Sequence, residues 1–405
     1  MSENREYEEF INRHISSDVV TLRLKYAGKH LPFDLNSALI QIECRQKIKS
    51  KLPFLLSHPN FIFPSVLASE QSTAEDIARF HASLIPENAK VLDLTCGLGI
   101  DSYFISRNAS SVTTFDLNPL NAEIAQNNFK TLGSHNIDVK IGDSIEWLRN
   151  HPEQKFDIIF ADPSRRGDYN SRLFALSDCS PDIPGNLDLL KQATDRLIVK
   201  ASPMLDITQV CRELPYATRI WCVSKKHECK ELLIDCDFTL NNTSEYDPLI
   251  SAINFENETS DILISYHKSE IPDKEDIFTD NPNSLPGKYL YLPEPALQKS
   301  GGAPIIARNF NLKKLHPNTW IYVSEEKKDK FPGRILKIDN LYTINDLKSN
   351  KLKGLSRNVV SRNFPLNVSQ IISKGKIKEG SNSDYLICCG CGIPLKPYIL
   401  DCKLI

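Results

Sequence analysis

The sequence predicts an α/β fold: a seven-stranded, mostly parallel sheet with a helical N-terminal region before it and a small α+β C-terminal region after it. Three observations carry this. From Ala89 onward short apolar runs alternate with helix-like segments, the pattern of strand–helix–strand units. Acids stand at the ends of four successive runs, at Asp93, Asp116, Asp143 and Asp162. The texture also changes on both flanks, with helical spacing before about residue 85 and turn-rich chain after about residue 240.

Taken in order, LNSALIQIECRQKIKSKLP and EQSTAEDIARFHASLIP space apolar residues by three and four, which predicts helices. The strands are VLDL, SVTTFDL, IDVKIGD, FDIIFAD, DRLIVKA, ATRIWCV and KELLIDCD, with helices over NPLNAEIAQNNFKTL and Leu187 to Thr194. Next, NNTSEYD, SEIPDKED and TDNPNSLPG mark a boundary rich in turns. Strand-like KYLYLP, TWIYVS and RILKI follow, with helix-like TINDLKSNKLK and NVSQIISKG. A length of 405 residues implies two or three domains.

Composition narrows the class. Hydrophobic residues make up 41% and charged residues 25%, a globular mix. No stretch reaches the roughly 18 to 20 apolar residues of a membrane span. The polar, acidic start MSENREYEEF lacks signal-peptide character, so the sequence reads as cytoplasmic. Eleven scattered cysteines suit reduced thiols. Neither Cys222, Cys229 and Cys236 nor Cys388, Cys389 and Cys391 has zinc spacing, so no metal is expected. A net charge of −2 gives no chain-wide nucleic-acid footprint. The run from Lys348 to Lys378 is locally basic, through Lys348, Lys351, Lys353, Arg357, Arg362, Lys374, Lys376 and Lys378, and reads as a solvated face or a phosphate-facing patch.

The chemistry is concentrated at the strand ends, where ligands of open α/β sheets bind. VLDL breaks at Thr95-Cys96-Gly97-Leu98-Gly99, and a turn without side chains at Gly97 and Gly99 lets a ligand approach the backbone. Asp116, about twenty residues on, suits a ribose diol, and Asp143 can accept from an adenine amine. The third glycine of a dinucleotide fingerprint is replaced by Ser102, and Asp93 and Asp101 would repel a pyrophosphate. A cationic, phosphate-free nucleoside fits the acids better, and S-adenosylmethionine is one. Asp162, with the carbonyl of Pro163, could accept the hydrogens of an amine and aim its lone pair. Arg165 and Arg166 could clamp phosphates or pair with acids. Lys200 and Ser202 would line the substrate side, Glu70 and Gln71 could close over the cofactor, and His227 belongs to a surface turn.

Over residues 70 to 238 the sequence resembles class I S-adenosylmethionine-dependent methyltransferases, which have a Rossmann-like seven-stranded sheet. DLTCGLGID is similar to their first motif, FDLNP to their ribose-binding acid and GDS to their adenine contact. The resemblance implies cofactor contacts from Asp93, Thr95, Cys96, Gly97, Gly99, Asp116, Leu117, Asp143, Ser144 and Asp162. DLNPLNAEIAQNN, with Asn118-Pro119 and Asn128, is similar to RNA-methylating enzymes. FADPSRRG resembles the D/N-P-P-x motif of amine methyltransferases and the DPPRxG of RNA uridine C5-methyltransferases, with Ser164 in place of the second proline. The C5 enzymes carry a nucleophilic cysteine after the fifth strand, where this chain has KASPMLD, which weighs against C5 chemistry. EQST, DPSRR, KASPMLD, HECKELL and SRNFPL together resemble a bacterial family that joins such a domain to a ferredoxin-like module and a C-terminal THUMP-like domain.

The implied organisation is a helical region over 1–85, a methyltransferase domain over 86–240, a linker and ferredoxin-like module over 241–325 and a THUMP-like domain over 326–405. The implied activity is methylation of RNA, tRNA or rRNA, at a base amine rather than pyrimidine C5. A protein side chain or small molecule as substrate, or an RNA-binding protein with an inactive domain, stays open. RNA is the expected partner, with no membrane and no metal.

Overall fold

The structure, a computed structural model, describes residues 2–165, 175–240, 247–256, 259–380 and 383–405. The chain divides into two compact units, 1–218 with 233–246, and 219–232 with 247–405.

The first unit opens with helices α1 (Ser2–His14), α2 (Val19–Tyr26), α3 (Leu35–Ile48), α4 (Val66–Gln71) and α5 (Glu75–Ser83). The helical period of EQSTAEDIARF runs without interruption, yet the helix stops at Ser72, where the backbone turns extended (φ −58°, ψ 152°). The Ser72 hydroxyl donates to the Ser69 carbonyl at 2.8 Å, a local bond that competes with helix continuation. Ahead of α4 a non-helical stretch is tied down by side chains acting as backbone partners. Gln41 exchanges two hydrogen bonds with Phe63 (2.8 and 3.0 Å), and Arg45 donates to the Pro59 and Phe61 carbonyls at 2.7 and 2.9 Å. Asn128 exchanges two with Ile62, both 2.8 Å. These bonds replace a missing ladder and fix where α4 begins.

The sheet follows: β1 (Lys90–Asp93), α6 (Ile100–Ile105), β2 (Ser111–Asp116), α7 (Pro119–Thr131), β3 (Ile137–Ile141), α8 (Ser144–Asn150) and β4 (Ile158–Ala161). A two-strand pair, β5 (Ser164–Arg165) and β6 (Cys179–Ser180), precedes α9 (Leu187–Ala193), β7 (Arg196–Ala201) and α10 (Ile207–Glu213). Strands β7, β4, β1, β2 and β3 lie side by side in that order, all parallel. The chain leaves β1 for β2 on one side and returns to β4 on the other. The crevice beyond the carboxyl ends of β1 and β4 is therefore the switch point where ligands bind.

Strands β8 (Ala217–Lys225) and β9 (Glu228–Asp237) form a hairpin whose two turn residues, Lys226 and His227, have φ of 52° and 59°, the backbone of a tight two-residue connection. The surface turn expected at His227 is this one, and His227 Nδ1 lies 2.9 Å from Glu294 Oε1. All seven expected strands are present as β1 to β4 and β7 to β9. The count of seven is exceeded: β10 (Leu249–Glu256) pairs parallel with β8, and β11 (Thr259–His267) pairs antiparallel with β10. The turn-rich flanks of these two strands hid them from the sequence reading.

The second unit continues with β12 (Tyr289–Pro293), α11 (Pro295–Ser300), α12 (Ala303–Asn309), β13 (Lys313–His316), β14 (Thr319–Ser324), β15 (Gly333–Thr343) and α13 (Ile344–Lys348). It ends with β16 (Ser356–Arg362), α14 (Val368–Gly375), β17 (Lys378–Glu379), β18 (Asp384–Cys391) and β19 (Lys396–Leu404). Eight of these strands form one sheet in the order β13-β14-β12-β15-β19-β18-β16-β17. Alternation along β18 and β19 gives that sheet two cores: Ile387, Cys389 and Leu400 face one, and Leu386, Cys388 and Ile399 the other. All eleven cysteines are free thiols. Among the described residues no helix is long and apolar enough to cross a membrane, and no group of three His, Cys, Asp or Glu could hold a metal ion.

Candidate active site

Beyond the ends of β1 and β4 the first unit has a cleft of about 460 Å³. The glycine turn floors it, the chain after β2, β3 and β4 rims it, and the α4–α5 junction closes it with Leu67, Gln71 and Thr73.

The two glycines of the turn do different work. Both have positive φ, 53° at Gly97 and 80° at Gly99, a backbone conformation that favours glycine. A Cβ at Gly99 would stand 2.6 Å from the Phe129 ring, whereas one at Gly97 would meet nothing within 4 Å. Gly99 makes room for a core ring, and Gly97 leaves backbone open to a ligand. Cys96 N–H donates to the Phe115 carbonyl at 2.7 Å, and burial pushes its thiol far up, so the sulfur is not a thiolate.

The four strand-end acids separate by position. Asp93, expected to contact the cofactor, does not line the cleft. It is buried beneath the turn, accepting from Thr95 N–H at 2.9 Å and from the Ser102 hydroxyl. Burial pushes it up to about 7, against the pull of those hydrogen bonds. Ser102, where a third glycine would stand in a dinucleotide fingerprint, is therefore a partner of Asp93. Asp116 lines the cleft half-buried and accepts from Asn118 N–H at 2.8 Å, and burial raises it. Leu117 beside it is exposed and lines the same rim. Asp143 lines the rim and caps α8, accepting from Ile145 and Glu146 N–H at 2.8 and 3.1 Å. Ser144 donates inward to the Leu94 carbonyl at 3.0 Å.

Asp162 is the fourth acid and the centre of a network. Its backbone N–H donates to Thr95 Oγ1 at 2.8 Å, which ties the end of β4 to the glycine turn. Its side chain is 40% exposed and lines the cleft, and Oδ2 lies 2.5 Å from Lys200 Nζ. Lys200 was expected to face substrate, but its side chain is only 12% exposed and its ammonium also donates to Thr73 Oγ1 at 3.1 Å. Thr73 donates to Asp101 Oδ2 at 2.5 Å, and Asp101 Oδ1 lies 2.8 Å from His81 Nδ1. Burial alone would raise Asp101. The His81 contact, the charge of Lys200 and the Thr73 hydroxyl outweigh it and bring the carboxyl down to about 2.

Other expected residues fall elsewhere. Pro163 and Ser202 are half-buried outside the lining, and Ser202 Oγ accepts from Met204 N–H at 3.3 Å. Gln71 lines the cleft, but Glu70 turns to Lys47 at 2.5 Å. Arg165 contributes backbone to β5, with its side chain outside the description, and Arg166 lies outside the described residues. Asn128, taken as a family signature, is a scaffold residue that holds Ile62. Thr73, His81, Ser180 and Pro181 had no signal in spacing. The helix break that presents Thr73 follows from a serine side chain within an unbroken apolar period.

The residues present fit a phosphate-free cationic nucleoside. Three at least partly exposed acids, Asp116, Asp143 and Asp162, rim the cleft, and the open Gly97 backbone can meet a ligand without a side chain intervening. Residues 78–177 match a family described as conserved hypothetical protein 95, and residues 289–332 match one described as a ferredoxin-like domain. The crystal structure of a Porphyromonas gingivalis W83 protein assigned as a methyltransferase superposes with a TM-score of 0.80 at 27% identity. It covers 98% of this chain and 97% of that one. The glycine-turn cleft is that of an S-adenosylmethionine-dependent methyltransferase.

An uncharacterized S-adenosylmethionine-dependent methyltransferase of Mycobacterium tuberculosis H37Rv is 28% identical over 145 residues, 36% of this chain. An uncharacterized RNA methyltransferase of Clostridium acetobutylicum is 32% identical over 93 residues, 22% of this chain. The chain spans 38% and 20% of the lengths of these two curated relatives.

Proposed function

We propose that the whole chain methylates RNA, tRNA or rRNA, at a base amine rather than at pyrimidine C5. One observation carries the reading: Asp162 faces the cleft while its own backbone is fastened to Thr95 of the glycine turn. Bound S-adenosylmethionine supplies a sulfonium methyl group to an in-line nucleophile. The chain aligns the two reactants. Asp116 accepts the ribose hydroxyls, Leu117 covers the base, and Asp143 takes the adenine amine. Asp162 accepts a hydrogen of the acceptor nitrogen and points its lone pair along the line of attack. The nitrogen becomes acidic as its bond to carbon forms, so no strong base is required beforehand. Cys96 is the one cysteine lining the cleft among the described residues, and its buried thiol cannot open a covalent C5 route.

The name of the Clostridium relative and the basic run support RNA. Within that run Arg357, 20% exposed, pairs with Asp401 at 2.7 Å and is committed to the fold, while Lys351 pairs with Asp346 at the surface. Lys353, Lys374, Lys376 and Lys378 are exposed, and two backbone bonds, Gly354 N–H to the Lys376 carbonyl at 3.0 Å and Lys378 N–H to the Leu355 carbonyl at 2.9 Å, draw their segments together. They are the phosphate-facing candidates of the region we assign as THUMP-like. The test is tritiated methyl transfer from S-adenosylmethionine to RNA from a strain lacking this chain, followed by nucleoside mass spectrometry. An N-methylated base is the expected product. Label confined to protein or metabolites would move the substrate elsewhere, and no label with RNA binding intact would mark an inactive domain.

A further inference from the structure

We propose that Lys200 is a positioning residue for methyl transfer: seated on Thr73 beside Asp101, its ammonium fixes the Asp162 carboxylate against the acceptor nitrogen. The inference rests on the reading of Asp162 just given, and it adds a second clamp to the one through Thr95.

A lysine at the carboxyl end of a central parallel strand, 12% exposed, is costly to bury without partners. Its partners here come from two separate parts of the first unit. From the sheet, Asp162 Oδ2 stands at 2.5 Å, and β4 and β7 are direct neighbours with Ala161 opposite Val199. From the helical region, Thr73 Oγ1 stands at 3.1 Å, held by Asp101, which His81 holds in turn. The chain of contacts runs from a fully buried histidine to a carboxylate 40% exposed in the cleft.

A purely structural ion pair would close on itself within the core. This one ends on the side chain that meets the acceptor. The Asp162 backbone is set by Thr95 of the glycine turn and its carboxylate by Lys200, itself seated on Thr73 of the α4–α5 junction, so that residue is held at both ends. Two rotatable bonds are thereby removed from the alignment of acceptor and methyl donor, which is where such enzymes gain rate. The serine-ended helix break at Ser72 is what brings Thr73 under the ammonium.

The test compares Lys200→Met, Lys200→Arg, Thr73→Val and Asp162→Ala with the wild-type full chain. Methyl transfer to RNA from the deleted strain gives kcat, calorimetry gives S-adenosylhomocysteine affinity, and melting gives the fraction folded. Lys200→Met should lose about a hundredfold in kcat with product affinity within about threefold, because misplacement and not binding is the defect. Lys200→Arg should recover part of that loss, and Thr73→Val should cost about tenfold by removing one anchor. A Lys200→Met enzyme with wild-type kcat overturns the proposal. So does a kcat loss matched by an equal loss of product affinity. If Lys200→Met does not fold, Thr73→Val decides, and unchanged turnover there overturns it. Active Asp162→Ala would instead overturn the reading of Asp162 itself, so the two failures are told apart in one assay.

Discussion

The floor and the rim of the cleft are built from the same residue type and do opposite things. On the floor, Asp101 lines the cleft at only 13% exposure and Asp93 is buried beneath the turn. Asp93 accepts from Ser102 and Thr95, Asp101 accepts from Thr73 and meets His81, and the two are shifted in opposite directions, one up to about 7 and the other down to about 2. On the rim, Asp116, Asp143 and Asp162 keep part of their carboxylates toward the cleft. An acid at a strand end is therefore not by itself a ligand contact. What separates the two sets is how far the carboxylate is withdrawn from solvent: Asp93 is 1% and Asp101 13% exposed, whereas Asp162 is 40% exposed even with Lys200 on one oxygen.

Substitutions should divide along the same line. Asp93→Ala leaves the Thr95 N–H and the Ser102 hydroxyl buried without an acceptor, and should cost several kcal/mol of stability, read as a large drop in Tm with all function lost together. Asp162→Ala should cost about a hundredfold in kcat with Tm and S-adenosylhomocysteine affinity nearly unchanged. A matching fall in Tm would place Asp162 with the floor. Asp116→Ala should weaken S-adenosylhomocysteine about tenfold, the loss of a charged hydrogen-bond acceptor, with Tm steady.

The pH dependence is subtler. Asp93 is raised above its unfolded value of roughly 4, so the folded state holds its proton more tightly. Its stabilising contribution is complete below about pH 4 and is lost as pH rises through about 7. Asp101 is depressed, so its contribution is lost only as pH falls below about 4 toward 2. Melting between pH 5 and 8 should therefore report Asp93, with Tm falling as pH rises and Asp93→Asn flattening the slope. A flat wild-type profile would return Asp93 to the ionised set. The smallest change is expected far from the cleft. Neutral residues at Lys353, Lys374, Lys376 and Lys378 should lower RNA affinity and reduce its salt dependence, leaving cofactor binding untouched.

Much of this was legible in the order of residues. Short apolar runs located the seven strands and the helix-like segment between two of them located α7, because burial on both sheet faces demands apolar runs. Gly97 and Gly99 announced a turn, and Asp162-Pro163 announced the end of β4. The partners were not legible. Nothing local says that Lys200 meets Thr73, 127 positions away, or that Ser102 rather than a ligand takes Asp93. Such pairings come from topology, which sets neighbours across the sheet without leaving a mark in sequence spacing. LISAINFE and TSDILISYH were illegible for a different reason: each is apolar enough for a strand, but the turn residues around them read as a boundary.

The interruption at Ser72 also bears on how this protein should be dissected. A chain pruned to the sheet, starting near residue 86, would retain the glycine turn and all four strand-end acids, yet it would forfeit Leu67, Gln71 and the hydroxyl beneath Lys200. Such a fragment could fold and still be silent in every enzymatic screen. Its silence would reflect the amputation of a wall, not the nature of the catalyst.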